Sequence, residues 1–273
     1  MEIKQSVCNY CSTGCNLSFT VEDNKIVKIL GQKDYPVNNG TACIKGLNLD
    51  KQCTVYGKQR LPLLRGEDGK MHEISWEEAF EVFVKKMGEI QEKHGKESAA
   101  FISTGQMPME EMALLGLIGR GFMGMHGDGN TRLCMATSAV AYKQSFGFDA
   151  PPYTLHDIDL TDTLILIGAN PAIAHPVTWG RIRRNKDAKL IVIDPRKSET
   201  AAFADDWYGI NPKTDLTLLY TLANVLIEKG YINEEYIEKY TEGFDGFKEH
   251  VKKYSLEDCE AKTGITKERV LEL

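Results

Sequence analysis

The fold is decided by residues 8–15, which read CNYCSTGC, and by residues 43–46, which read CIKG. These stretches contain Cys8, Cys11, Cys15 and Cys43. Three thiols so close together, among small and polar neighbours, cannot all pack as ordinary core cysteines. The residues between them form a loop whose backbone can wrap around a compact object. The spacing favours a [4Fe–4S] cluster held by four thiolates, with zinc, free thiols or a disulfide as the alternatives.

The residues between the two motifs have the pattern of a small β unit. Residues 17–21 alternate between apolar and polar, Asp23 and Asn24 favour a turn, and a strand resumes over residues 25–30. Residues 31–40 contain the breakers Pro36 and Asn38 and are a predicted loop. A unit of this size depends on a bound metal for its stability. We therefore predict a cluster domain over residues 1–57.

The composition predicts a globular protein of about two domains. The chain has 273 residues, and 42% hydrophobic with 26% charged residues is enough to build packed cores. The net charge of −6 argues against a nucleic-acid partner, and no apolar run approaches the length of a membrane span. Seven cysteines concentrated at one end do not resemble a disulfide framework. With Cys8 so near the start there is no room for a signal peptide, so we expect a cytoplasmic location.

Residues 58–133 are predicted to begin a second α/β domain. Ser75 and Glu78 form a capping box that opens a helix to about residue 93. A buried strand is predicted over residues 99–103, a helix over 109–123 and a glycine-rich loop over 124–130. A helix over 131–146 would carry Cys134 in its first turn, where the helix N-terminus favours a thiolate. Taken alone, Cys134 has the competing interpretation of a buried structural cysteine, and Lys45 that of a solvated lysine.

From residue 163 the pattern becomes β-α-β. Residues 163–167 predict a strand buried on both faces, followed by a helix over about 175–185 and a second strand over 189–193. A third strand is expected within residues 201–210, and a helix then runs to Lys229 and stops at Gly230. Asp194 ends the second strand, where an acidic residue can bind ribose hydroxyls, and residues 168–171 can hold a pyrophosphate. The glycine spacing argues against a plain nicotinamide site.

Taken in order, these motifs resemble the N-terminal part of the catalytic subunit of the prokaryotic molybdopterin oxidoreductases, a family of nitrate reductases and formate dehydrogenases. The resemblance covers nearly all of the chain. It implies an α/β fold with a small β-rich [4Fe–4S] domain, followed by α/β domains of which the last is a Rossmann-like parallel sheet with flanking helices. The motifs that carry it are the cysteine motifs, YGKQRLPLLR at 56–65, STGQ at 103–106, NTRLCM at 130–135, GANP at 168–171 with His175-Pro176, and DPR at 194–196.

The resemblance also implies roles for individual residues. The four cysteines would be cluster ligands, Cys134 would bind molybdenum, and Lys45 would link the cluster to the pterin. Residues 134–273 would be an incomplete dinucleotide-binding domain, and Cys53 and Cys259 match no functional position. The implied contacts with Mo-bis-molybdopterin guanine dinucleotide are Lys45, Gln106, Asn130, Ile167, Gly168, Ala169, Asn170, Pro171, Ala172, Ile173, Ala174, Ile193, Asp194, Pro195, Arg196, Lys197, Lys213, Thr214 and Asp215.

The implied activity is that of an assimilatory-type nitrate reductase. Electrons from a ferredoxin, a flavodoxin or an NADH-linked flavoprotein subunit would pass from the cluster to molybdenum and reduce nitrate to nitrite. Met135 favours nitrate over formate, because the family's formate dehydrogenases typically have a histidine at this position. The alternatives are a formate dehydrogenase and a non-catalytic iron–sulfur subunit, and the setting of Cys134 argues against the latter. The family's C-terminal cofactor domain is absent, so we expect this segment alone to be inactive.

Overall fold

The computed structural model describes residues 1–11, 13–54 and 61–273, without the side chains of residues 52–54. Residues 56–60 of the YGKQRL motif and the side chain of Cys53 lie outside these described residues. The chain divides into two compact units, Met1–Thr154 and Leu155–Leu273, which we call the first unit and the second unit. This is a coarser division than the three predicted domains, whose boundaries stay a prediction.

The first unit begins with an antiparallel sheet in which β1 (Glu2–Val7), β2 (Asn16–Glu22) and β3 (Lys25–Gly31) follow one another. The predicted hairpin is confirmed, because β2 pairs with β3 through a turn at Asp23 and Asn24. Both turn residues have positive φ, which Asp and Asn tolerate better than most residues. Leu17 of β2 is fully buried beneath this sheet. The cysteine loop therefore joins two paired strands, β1 and β2.

The next elements follow the loop that carries Cys43. They are α1 (Leu49–Thr54), the hairpin of β4 (Leu63–Arg65) with β5 (Met71–Glu73), and α2 (Trp76–His94). The predicted cap of α2 is confirmed, since the Ser75 Oγ accepts a hydrogen bond from the Glu78 N–H at 3.1 Å. No residue of α2, which is described throughout, is buried, and its apolar residues Phe80, Phe83 and Val84 are exposed.

A parallel pair of strands, β6 (Ala100–Ser103) and β7 (His126–Gly129), forms the centre of the second half of this unit. Two predictions were wrong here. The strand predicted as buried is largely exposed, with 85% of Ile102 accessible. The glycine-rich stretch predicted as a loop contains β7, because Gly127 lets the backbone approach Phe101. A Cβ at Gly127 would lie 2.1 Å from the Phe101 ring.

Helices flank this strand pair. They are α3 (Met109–Gly116), which continues as a π-helical segment over Leu117–Phe122, α4 (Thr131–Cys134) and α5 (Ala136–Phe146). The single helix predicted over residues 131–146 is interrupted at Met135, whose φ of −134° is not helical. Cys134 therefore ends a one-turn helix instead of opening a long one.

The second unit, which is described throughout, contains a parallel sheet in the order β10-β9-β8. Its strands are β8 (Thr163–Ile167), β9 (Lys189–Ile193) and β10 (Asp206–Tyr208), so the predicted third strand is confirmed. The central strand β9 is buried, with Val192 fully inaccessible. The prediction that β8 is buried on both faces was wrong, because Ile165 and Ile167 are exposed on an edge strand that one layer covers.

Helices cover the sheet of the second unit, and the predicted α/β fold class is confirmed. The helix predicted to end before Gly230 is α9, and Gly230 has the positive φ expected of a helix-ending glycine. Among the described residues, no helix combines the length and the apolar character needed to cross a membrane. The helices are α6 (Asp157–Leu160), α7 (Pro171–Ala174), α8 (Pro176–Arg184), α9 (Asp215–Glu228), α10 (Glu234–Tyr240), α11 (Phe244–Val251), α12 (Leu256–Thr263) and α13 (Lys267–Glu272).

Candidate cluster and cofactor site

The loop between β1 and β2 is closed by its own backbone. The Cys8 N–H donates to the Cys15 carbonyl at 2.8 Å, and the Gly14 N–H donates to the Cys11 carbonyl at 3.4 Å. Gly14 has a φ of 70°, a conformation that glycine adopts without steric cost. The loop thereby turns sharply, and Cys15 lies close enough to Cys8 and Cys11 for the charges of their thiolates to raise its pKa.

The fourth cysteine lies in a turn that packs against this loop. Gly46, three residues after Cys43, is buried, and a Cβ built on it would make ordinary van der Waals contacts with the Cys8 Sγ at 3.5 Å and with Leu17 at 3.4 Å. The Leu47 N–H donates to the Cys43 carbonyl at 3.0 Å, which makes residues 43–47 a tight turn. The structure therefore brings all four predicted cluster cysteines into one region.

The electrostatics of these thiols fit a positively charged occupant. Burial, together with the smaller effect of the negative charge on the neighbouring thiolates, raises the pKa of Cys8 and raises that of Cys15 to about 11. Thiolates so placed need a cationic centre to balance their repulsion, and the irons of a cluster supply it. No three His, Cys, Asp or Glu side chains of the described residues are placed to hold a single metal ion.

A cavity of about 500 Å³ adjoins the cysteine loop within the first unit. Cys8 and Cys11 line this cavity together with residues 105–110, which include Gln106, and with Met112. The structure therefore places Gln106, a predicted pterin contact, beside the cluster cysteines.

Asn130 directly follows β7, at the edge where parallel sheets place ligands, and Cys134 lies four residues further on, at the end of α4. The Asn130 Oδ1 accepts a hydrogen bond from the Gly105 N–H at 2.9 Å, so it holds the backbone next to Gln106. Arg132 donates to Asp128 at 3.0 Å, which ties α4 to β7. Cys134 is exposed at the end of α4, and Lys45 is exposed in the turn after Cys43. The roles of these residues stay predictions.

In the second unit, the predicted dinucleotide-binding segments follow neighbouring strands. Residues 167–174 begin at the last residue of β8 and residues 193–197 at the last residue of β9, and the Gly168 N–H donates to the Ile193 carbonyl at 2.9 Å. One carboxylate oxygen of Asp194, Oδ1, already accepts a hydrogen bond within the protein, from the Arg196 N–H at 2.8 Å. Residues 213–215 open α9, and Lys213 has a φ of 70°. These hydrogen bonds within the protein shape the carboxyl edge of the sheet. The contacts of these residues with a dinucleotide stay predictions.

The side chain of Asn170 is used within the protein. Its Nδ2 donates to Glu199 at 2.7 Å, and its Oδ1 accepts from the Thr200 hydroxyl at 2.7 Å. The Thr200 Oγ1 in turn accepts from the Ala172 N–H at 3.1 Å. A hydrogen bond from its own N–H and the bond from Asn170 lower the pKa of Glu199. This network joins the loops that follow β8 and β9.

Sequence reasoning missed three residues that shape these sites. Glu199 and Thr200 follow the DPR motif by only a few positions, which is the one signal that could have indicated them. Asn38 has a relative exposure of 1%, but in the sequence it resembles an ordinary loop breaker. Its contacts join segments that are distant in sequence, so no local pattern reveals its importance.

Comparison with known proteins shows the class of this chain. Residues 1–55 match the molybdopterin oxidoreductase Fe4S4 domain, and residues 60–255 match the molybdopterin oxidoreductase domain. The chain therefore belongs to the molybdopterin oxidoreductase family. The predictions of a [4Fe–4S] cluster and a molybdopterin cofactor are thereby confirmed.

Among curated relatives, the chain is 37% identical over 248 residues to a nitrate reductase of Symbiobacterium thermophilum, covering 89% of this chain and 33% of that protein. It is 33% identical to a nitrate reductase of Synechocystis sp., covering 97% of this chain and 39% of that protein. It is 34% identical to an F420-dependent formate dehydrogenase subunit alpha of Methanocaldococcus jannaschii, covering 99% and 40%. The chain thus spans about a third to two fifths of the length of these relatives.

A solved structure shows the same fold. The acetylene hydratase from Pelobacter acetylenicus aligns with a TM-score of 0.81 over 98% of this chain and 38% of that chain, at 24% sequence identity. At this identity the likeness concerns the fold alone.

Proposed function

We propose that the chain is the N-terminal segment of a molybdenum nitrate reductase that converts nitrate to nitrite. The observation that carries the proposal is the cavity that Cys8, Cys11 and Gln106 line together. It would allow a cluster and a pterin to be bound next to each other. The similarity to two nitrate reductases, at 37% and 33% identity, supports the choice of substrate.

Each proposed role follows from the chemistry of the side chain. Cys8, Cys11, Cys15 and Cys43 hold the cluster as thiolates, and Cys134 offers a soft, accessible thiolate to molybdenum. When bound, the cofactors supply single-electron relay and oxygen-atom transfer. In the dinucleotide-binding loops, backbone N–H groups and the ends of β8 and β9 orient the nucleotide part of a bis-molybdopterin guanine dinucleotide.

Met135 supports nitrate as the substrate. Its thioether accepts no proton, whereas the oxidation of formate releases a proton that a neighbouring base can take up. We further infer a cytoplasmic enzyme of nitrate assimilation, supplied with electrons by a ferredoxin, a flavodoxin or an NADH-linked flavoprotein subunit.

Formate oxidation is the second candidate, because the similarity to the formate dehydrogenase subunit, at 34% identity, lies between the two nitrate reductase values. The two functions are separated by assaying the full-length protein with reduced viologen and nitrate, and with oxidised viologen and formate. We expect turnover with nitrate and none with formate. The nitrate assay without reduced viologen is the control. Turnover with formate alone would overturn the substrate assignment and leave the family assignment intact.

Iron analysis tests the cluster ligands separately from the substrate. Anaerobically prepared protein is expected to contain about four irons per chain, and Cys15→Ala is expected to lose most of them because it removes a thiolate ligand. Cys259→Ser is the matched control, since Cys259 is buried in α12, far from the cluster cysteines in sequence. Stoichiometric zinc without iron in the parent protein would show that the site is a zinc site.

A further inference from the structure

Asn38 joins the two parts of the cysteine motif. It is 1% exposed, and its Oδ1 accepts a hydrogen bond from the Asn16 N–H at 3.0 Å. Its Nδ2 donates to the Asn16 carbonyl at 3.1 Å and to the Thr41 carbonyl at 2.7 Å. Asn16 is the residue after Cys15, and Thr41 lies two residues before Cys43. One amide therefore contacts the backbone beside the near ligands and the backbone beside the distant one.

The surrounding backbone is packed so tightly that this contact has little freedom. A Cβ at Gly31 would lie 2.4 Å from the Thr41 carbonyl oxygen, so the end of β3 touches the same segment. The Gly40 N–H donates to the Gln32 carbonyl at 2.9 Å, and the Gln32 N–H donates to the Asn16 carbonyl at 3.0 Å. Asn38 lies at the centre of this arrangement. If its amide is removed, a water molecule cannot take over its hydrogen bonds unless the backbone shifts.

We propose that Asn38 is a positioning residue that fixes Cys43 relative to the loop of Cys8, Cys11 and Cys15, and thereby controls how firmly the cluster is held. Its amide contacts the backbone of two ligand segments, beside Cys15 and beside Cys43, and acts through that backbone. An amide suits this position because it offers one acceptor and two donors to one N–H and two carbonyls. The proposal rests on the cysteine ligands of the proposed function and does not depend on the substrate.

The test is the rate at which the cluster is lost on exposure to a chelator, followed by its visible absorption in the full-length protein. Asn38→Ala removes three hydrogen bonds to partly buried backbone groups, and of these groups the Asn16 carbonyl keeps the Gln32 N–H as a donor. The Asn16 N–H and the Thr41 carbonyl lose their contact with the side chain, so we expect the cluster to be lost at least about tenfold faster than in the parent. Asn39→Gly is the matched control, because Asn39 is exposed in the same loop and its φ of 42° is accessible to glycine. It is expected to lose its cluster at the parent rate.

Asn38→Asp supplies a readout that general loss of stability would not produce. The ionised carboxylate can still accept from the Asn16 N–H but repels the two carbonyls, whereas the protonated carboxyl can donate to one of them. We therefore expect the ratio of this variant's loss rate to the parent's to fall as the pH is lowered. This variant also decides the matter if Asn38→Ala does not accumulate as folded protein.

The outcomes distinguish the proposed role of Asn38 from the proposed role of the four cysteines as cluster ligands. A parent that binds no iron contradicts the cysteine assignment itself. A parent that binds iron, with both Asn38 variants losing the cluster at the parent rate and with no change in the ratio with pH, overturns the role of Asn38.

Discussion

Replacing Cys134 by serine in the full-length enzyme is expected to lower nitrate turnover with reduced viologen by more than about 100-fold. This loss is larger than the one expected for a residue that only supports a metal ligand without binding the metal. A serine hydroxyl is a harder and far less acidic ligand than a thiol, so it cannot replace a soft thiolate on molybdenum. Cys134 is exposed at the end of α4, and the Asp128–Arg132 pair ties this helix to β7. The segment that carries the thiol is therefore held to β7 by residues other than Cys134, so the serine variant is expected to keep the local fold.

The variant must keep its fold and its cluster for this result to concern molybdenum. We expect an unchanged iron content and a changed molybdenum spectrum, because the mutated residue lies outside the cysteine loop. Cys259→Ser is again the matched control, and its Sγ, 3.9 Å from the Thr263 hydroxyl, has a neighbour that a serine can use. An unaltered rate together with an unaltered spectrum in Cys134→Ser would show that Cys134 is a structural cysteine.

Predictions succeeded where the deciding residues are neighbours in sequence. The turn at Asp23 and Asn24 and the cap formed by Ser75 each depend on contacts across three or fewer positions, so the pattern contains the necessary information. Strand β7 was missed because glycines are locally typical of loops. Its formation depends on the approach of Gly127 to Phe101, a residue of the paired strand β6. The break at Met135 likewise has no signal in a stretch whose residues all tolerate helix.

The candidate site divides in the same way. The cysteines could be predicted from spacing, since a thiol has few other reasons to recur at these intervals. The role of Asn170 was inferred from resemblance as a cofactor contact, yet its amide binds Glu199 and Thr200. Such a network depends on which loops lie side by side at the sheet edge, and this information appears only in the fold. Asn170 then serves the predicted nucleotide site at least by holding two of its loops together.

Lys45 is the residue at which we expect the second large effect. It lies two residues after Cys43, and its positive charge lowers the pKa of the Cys8 thiol, although burial raises that pKa by more and the charge of Lys45 is the smallest of the causes. A fixed cation that stabilises negative charge on a ligand also stabilises an added electron on the cluster. Removing this charge should therefore shift the cluster's reduction potential to more negative values and slow electron transfer.

We expect Lys45→Met in the full-length enzyme to keep its iron and molybdenum and to lose at least about tenfold in turnover with a physiological donor. A factor of this size corresponds to a modest electrostatic change near the partly buried cluster cysteines. A redox titration of the cluster measures the shift in potential directly. Lys45→Arg keeps the charge and should preserve the potential. Lys51→Met, which removes an exposed lysine from α1, controls for the loss of one positive charge from the same region. If Lys45→Met and Lys51→Met show the same potential and the same turnover as the parent, Lys45 is an ordinary solvated lysine, and the electrons reach molybdenum without its help.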